Sequence, residues 1–342
     1  MSEEHVDPRD NDHHPRKRTV LRGHERTERL LLRQLRSGRM HHGWLLSGRR
    51  GIGKATFAYR LARFVLRFPD PTGLGDVSSL HVPAESAVAR RVASGGHPDL
   101  LFIERRFDSK TGRIKSEIGV DDIRRTGEFF GHTPSAGGWR VCIIDTADDL
   151  NSESANALLK TLEEPPAQSL LILVSHQPRG LLPTLRSRCI EVGLAPLSLE
   201  DTVEVVKEIR PRDNKADRAA VLSRGSPGRA LEIMDSRGAK AFETFILRLE
   251  RLASVELDTK LAVADAFQGR GTAEDFAIFC ELLLGWVGEQ ARAAAIAGKG
   301  ARLALAHDII VHSIRRTDAL NLDRRQTVLD ALTVLEDAVK AA

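Results

Sequence analysis

The run Gly48-Arg-Arg-Gly-Ile-Gly-Lys54 constrains this chain more than any other stretch. It follows the short apolar segment Gly43-Trp-Leu-Leu-Ser47. It leads into a segment where Ala58, Leu61, Ala62 and Val65 recur at helical spacing. Strand, glycine loop and helix in that order form the context that separates a phosphate-binding loop from a mere glycine turn. Backbone amides and a helix N-terminus would cradle the anion, and the lysine would sit on its β- and γ-phosphates. Gly48, Gly51, Gly53 and Lys54 are therefore candidate nucleotide-binding residues. The pattern also requires a hydroxyl directly after the lysine to coordinate magnesium. Ala55 stands there instead. Thr56 is no simple substitute, because one residue along a helix turns the side chain by about 100°.

Further along, "PDLLFIE", "RVCIID", "LLILVS" and "CIEVG" are apolar runs bounded by polar turns, as expected of strands covered on both faces. Helical segments alternate with them. "VDDIRRTGEFF" has Val120, Ile123 and Phe130 spaced along it. "NSESANALLKTLEEPP" has the stripe Ala155, Leu158, Leu159 and Leu162, Asn151 or Ser152 as its cap, and Pro165-Pro166 as its stop. The alternation predicts a parallel five-stranded sheet with helices on both sides over residues 19–195. A helix bearing Leu30, Leu31 and Leu35 precedes it, and residues 67–97, rich in Pro, Gly and Ser, read as an irregular insertion. From 196 on only helical periodicity remains: a small helical lid over 196–240, then an all-helical bundle over 241–342. Residues 1–18, charged and without periodicity, read as disordered.

Three positions bear on chemistry besides the loop. Asp145 ends an apolar strand where such folds carry a magnesium-holding carboxylate. The glutamate that would orient an attacking water is replaced by Thr146, which cannot act as a base. Asp148 and Asp149 lie past the strand end and read as turn and capping residues. Arg186 and Arg188, in "LLPTLRSRCIEV", are either surface arginines or a guanidinium offered to a neighbour's triphosphate; spacing alone does not choose. Two independent requirements for hydrolysis are missing, at Ala55 and at Thr146.

Composition excludes several classes. Hydrophobic residues at 42% and charged residues at 29% are those of a globular domain. There is no apolar run of bilayer length and no secretory-type leader, so the cytoplasm is the expected compartment. Three dispersed cysteines, Cys142, Cys189 and Cys280, give neither a disulfide framework nor a C-x-x-C pair. The histidine pairs His13–His14 and His41–His42 lack further ligands at metal spacing. Net charge is only +4, but residues 16–40 are dominated by arginine, either a solvated face or a surface facing phosphates.

Together "HHGWLLSGRRGIGKAT", "RVCIIDTADDLNSESANALLKTLEEPP" and "LLPTLRSRC" resemble the delta-prime subunits of bacterial DNA polymerase III clamp loaders, a family of the AAA+ superfamily. The match covers about residues 20–195, and "NALLKTLEEPP" and "SRC" discriminate far better than the glycine loop. The resemblance implies a P-loop (AAA+) α/β domain, a helical lid and an all-α collar through which subunits assemble. It implies a rigid, non-hydrolysing member of a hetero-pentamer with the gamma/tau motor subunits and the delta subunit. That assembly opens the sliding clamp and sets it on primed DNA. By the same match Arg188, flanked by Ser187 and Cys189, is the arginine finger for the adjacent ATP site. Ser175 and Arg229 fall at the two sensor positions, as remnants of a degenerate nucleotide site together with Gly48–Thr56 and Asp145. No cofactor is required, ATP or ADP binding is at most degenerate, and neither ATPase nor polymerase activity is expected of the chain itself. Some clamp-loader relatives carry four cysteines in a zinc module after the loop helix; residues 67–97 contain none, so no zinc is expected. Arg26, Arg29 and Arg33 are expected near the DNA. The competing readings are an ATP-hydrolysing gamma/tau-like motor subunit, opposed by Ala55 and Thr146, and a free-standing P-loop kinase, which leaves "LEEPP" and the helical tail without a purpose.

Overall fold

The structure, a computed structural model, describes residues 7, 9–75, 77–135, 138–252, 254–269, 271–296 and 298–341. The chain divides between Arg229 and Ala230 into two compact units. In order, the first contains α1 (Glu25–Arg36), β1 (Gly43–Ser47), α2 (Lys54–Arg67), α3 (Ala87–Ala93), β2 (Leu100–Ile103), α4 (Val120–Gly131), β3 (Arg140–Asp145), α5 (Ser152–Glu163), β4 (Ser169–Ser175), α6 (Pro183–Arg186), β5 (Ile190–Gly193), α7 (Leu199–Ile209) and α8 (Ala216–Ser223). α9 spans Pro227–Asp235. The five strands expected from the apolar runs form one sheet in the order β2-β3-β4-β1-β5, every neighbouring pair parallel.

Both faces of the sheet are covered, which is why its strands read as unbroken apolar runs. Trp44, Leu46, Val141, Ile143, Leu170 and Ile172 point to the side of α1, α2 and α3, against Leu31, Phe57, Leu61 and Val92. Leu45, Cys142, Ile144, Leu171 and Leu173 point the other way, against Ile123, Leu158 and Leu185. Each such fully buried side chain contributes roughly 1.5–3 kcal/mol by leaving water. The α5 start follows the expected capping chemistry: Asn151 Oδ1 accepts the Ser154 amide at 2.9 Å.

Two expectations need correcting. Among residues 1–18, positions 9–18 are ordered against the first unit; positions 1–6 and 8 lie outside the described residues. Pro15–Lys17 form a 3₁₀ turn, and His14 is buried between Tyr59 and Phe102. The cause is a buried guanidinium on α2: Arg63 Nη2 donates to the carbonyls of Arg16 at 3.1 Å and Arg18 at 2.7 Å. A charged segment acquires a fixed path because its backbone, rather than apolar side chains, is what the domain binds. The stretch 67–97 is also less irregular than its composition suggests. It carries α3, capped by Ser86, and sends Leu80, Val82 and Val92 into the core.

The second unit is helical: α10 (Arg237–Leu252), α11 (Leu257–Asp265), α12 (Ala273–Ile296), α13 (Ala301–Leu320) and α14 (Arg324–Lys340). Phe242, Phe245, Phe267, Phe279 and Leu335 fill its interior. Gly238 is needed at the start of α10, since a Cβ there would lie 1.9 Å from the Asp275 carbonyl oxygen. Among the described residues, no helix is long and apolar enough to cross a membrane.

Candidate functional site

The glycine loop connects β1 to α2 at the carboxyl edge of the sheet. There the register aligns Ser47 with Ser175, and Asp145 with Val174, so the ends of β1, β3 and β4 form one rim. Gly48 through Thr56, Asp145 and Ser175 are thus brought together at this rim. Arg229 joins them: Gly51 has φ +78°, and a Cβ there would lie 2.8 Å from the Arg229 amide nitrogen.

The loop's carbonyls are all engaged by the chain's own groups. Lys54 Nζ donates to Gly48 O at 2.7 Å and to Arg49 O at 2.6 Å. Ser226 Oγ donates to Arg50 O at 2.7 Å, and the Gly228 amide to Gly51 O at 2.9 Å. The buried His24 ring donates through Nε2 to Ile52 O at 2.8 Å. Burial brings the Lys54 ammonium down to about 8, against the opposing pull of Asp145 and Asp148. Ala55 puts a methyl where a magnesium ligand would be, and Thr56 lies one step further round α2.

The acidic end of the rim follows a similar logic. Asp145 is crowded by protein, which pushes its carboxyl up to about 6 despite the nearby Lys54. Thr146 Oγ1 is 3.3 Å from Asp145 Oδ1 and supplies no base. Glu104 follows β2 in register beside Asp145; burial pushes it up to about 7, although Arg9 Nη1 is 3.0 Å from its Oε2. Asp148 accepts three bonds, from Ser175 Oγ at 2.7 Å, the His176 amide at 2.6 Å and the Gln177 amide at 3.0 Å. The Ser175 hydroxyl is therefore committed to Asp148, whose carboxylate does the capping work expected of it. Asp149 pairs with Arg105 at 3.0 Å.

These shifts make a prediction with an unusual sign. A carboxyl whose folded pKa lies above its ordinary 3.8 binds its proton more tightly when folded, so its contribution to stability falls as pH rises from about 4 through about 6. Asp145→Asn should therefore stabilise the protein by about 1–3 kcal/mol at pH 8, and the gain should vanish near pH 4. Thermal unfolding of the two proteins at both pH values measures it; a destabilised variant at pH 8 would contradict the assignment.

Arg188 does not join this rim. Its carbonyl lies beside Gly43, at the amino end of β1, where a Cβ on Gly43 would come within 3.1 Å of it. The five residues of β1 separate it from the loop, about 16 Å at strand rise. Its Nη2 is 2.7 Å from Glu163 Oε1, and its Nη1 donates to Thr184 O at 3.0 Å. Ser187 Oγ donates to the same carbonyl at 3.1 Å, and burial pushes the Cys189 thiol up to about 12. Arg186 lies 3.5 Å from Glu191. Sequence reading missed His24, Ser226, Arg9, Glu104 and Glu163. Only Ser226-Pro227 carried a local signal, that of a helix start.

Sheet order, loop and rim define an α/β protein of the P-loop class with alanine directly after the loop lysine. Residues 23–198, just over half the chain, match the family described as "DNA polymerase III, delta subunit", and the chain belongs to that family. DNA polymerase III subunit delta' of Pseudomonas aeruginosa is 32% identical over 189 residues, covering 54% of this chain and 53% of its own. The Escherichia coli K12 subunit of the same name is 33% identical over 215 residues, covering 63% of this chain and 60% of its own. DNA polymerase III subunit gamma of Buchnera aphidicola is 31% identical over 205 residues, with 58% and 52% covered. This chain thus spans between half and three fifths of the length of these relatives. A DNA polymerase III gamma subunit-related protein of Thermotoga maritima superposes with a TM-score of 0.46 at 19% identity, over 90% of this chain and 99% of that one. That superposition is too loose to carry an argument.

Proposed function

We propose that this chain is the non-hydrolysing, delta-prime-type subunit of a clamp loader, which completes a neighbour's ATP site with Arg188. Its partners in this reading are gamma/tau-type motor subunits and a delta subunit, acting in the cytoplasm on a sliding clamp and primed DNA. One observation carries it: Arg188 stands a full strand length from the chain's own phosphate loop, so its guanidinium can meet a triphosphate only in another subunit. Ala55 and Thr146 complement this at the rim: no hydroxyl directly follows the loop lysine, and a threonine follows Asp145 where a water-orienting glutamate is expected. Lys54, bonded to Gly48 and Arg49, acts here as a strut for the loop.

The similarity to gamma-type relatives keeps a motor-subunit reading as the alternative. The two differ in one assay. The purified chain alone, given magnesium and ATP, is expected to release no ADP above background. Sustained release abolished by Lys54→Ala would assign it to the motor class.

A further inference from the structure

The motifs that identify the family, "HHG", "LEEPP" and "SRC", lie far apart in sequence and meet at one point of the fold. At the amino end of β1, His42 Nε2 donates to Leu162 O at 3.0 Å and its ring stacks on His41 at 4.2 Å. Gly43 is closed in by Leu162 Cδ2, Arg188 O and Cys189 Sγ, so a Cβ there would crowd all three. The end of α5 is thereby pinned beside the Arg188 segment. From that end Glu163 reaches Arg188 Nη2 at 2.7 Å.

A carboxylate at this position is anomalous. The last turn of a helix presents its negative end, where cations are favoured and carboxylates are not. Arg188 offsets that cost, but the two side chains remain 48% and 36% exposed, and surface pairs of this kind contribute little to folding. Stability gives no account of the pair. Its geometry does: Glu163 Oε1 pairs with Nη2 and the Thr184 carbonyl accepts one N–H of Nη1, whereas a guanidinium has five donors. Donors are left for phosphate oxygens while the side chain is held.

We infer that Glu163 is a positioning residue for Arg188, holding the guanidinium in the orientation in which it meets a neighbouring subunit's triphosphate. This rests on the reading of Arg188 as a group offered in trans. Holding it beforehand removes rotamer freedom that would otherwise be lost during each turnover. The clasp is open on the solvent side, so an incoming triphosphate adds to it without dismantling it.

The experiment is steady-state ATP turnover by the complete loader, reconstituted with its ATP-binding subunits, clamp and primed DNA. Glu163→Ala is expected to lower kcat three- to tenfold with KM for ATP within twofold. Glu163→Gln, which keeps an acceptor oxygen, should stay within twofold of the unaltered complex. In an Arg188→Ala background, Glu163→Ala should cause no further loss. An unchanged kcat in Glu163→Ala, with Arg188→Ala strongly impaired, would overturn the positioning role and leave the arginine reading standing. Further loss in the double variant, or failure of Glu163→Gln to rescue, would also overturn it, by making Glu163 structural. Full turnover in Arg188→Ala would remove both.

Discussion

Turnover at the neighbouring ATP site that Arg188 is proposed to complete is expected to fall by a factor on the order of 10³ when it becomes alanine, with the complex still assembling. The size follows from the chemistry. Charge builds on the γ-phosphoryl oxygens in the transition state, and a guanidinium delivered there stabilises it in a site from which water is excluded. Arg188→Lys should recover only a small part, because an ammonium cannot reproduce the fork of parallel N–H donors. The lost side chain is partly exposed, as is its ion pair with Glu163, so folding and assembly should survive. Size-exclusion of the reconstituted complex checks assembly, and phosphate release in the presence of clamp and primed DNA checks rate. Equal rates for the altered and unaltered complexes would eliminate Arg188 from the chemistry.

Gly51→Ala should produce a large loss of stability in the first unit. A left-handed backbone at φ +78° costs a residue with a Cβ about 1–2 kcal/mol. That Cβ would also lie 2.5 Å from Ser226 Oγ and 2.8 Å from the Arg229 amide, so the segment must move. Overpacking of this kind adds about 1–3 kcal/mol. The expected total of about 2–5 kcal/mol is measurable as a lower denaturation midpoint. Hydrogen exchange at the Gly228 amide, bonded to Gly51 O, should quicken in parallel. An unaltered midpoint would show that the loop and residues 226–229 are not joined as described.

The parts of this molecule readable in its sequence are those governed by local rules. Strands buried on both faces produce apolar runs, and Asn151 caps α5 as its side chain predicts, so the sheet and its helices could be read from order alone. The place of Asp145 at the end of an apolar strand was legible for the same reason. The rest depends on side chains reaching across the chain. Arg63 fixes the carbonyls of residues 15, 16 and 18 from 45 or more positions away, and no periodicity announces that. His24 joins Ile52 O through the fold, and Glu163 finds Arg188 only because the start of β1 brings α5 and the end of α6 together. Such contacts leave no spacing rule behind. They become visible when distances replace sequence separation.

In the proposed reading, Arg188 and the glycine loop at opposite ends of one strand give the subunit a direction. Copies or cousins joined by such contacts stack head to tail, each giving on one side and receiving on the other. A member whose receiving side is sterile cannot be serviced from behind, so its natural station is the end of the row. Asymmetry in the whole machine would then originate in two replaced residues of one subunit.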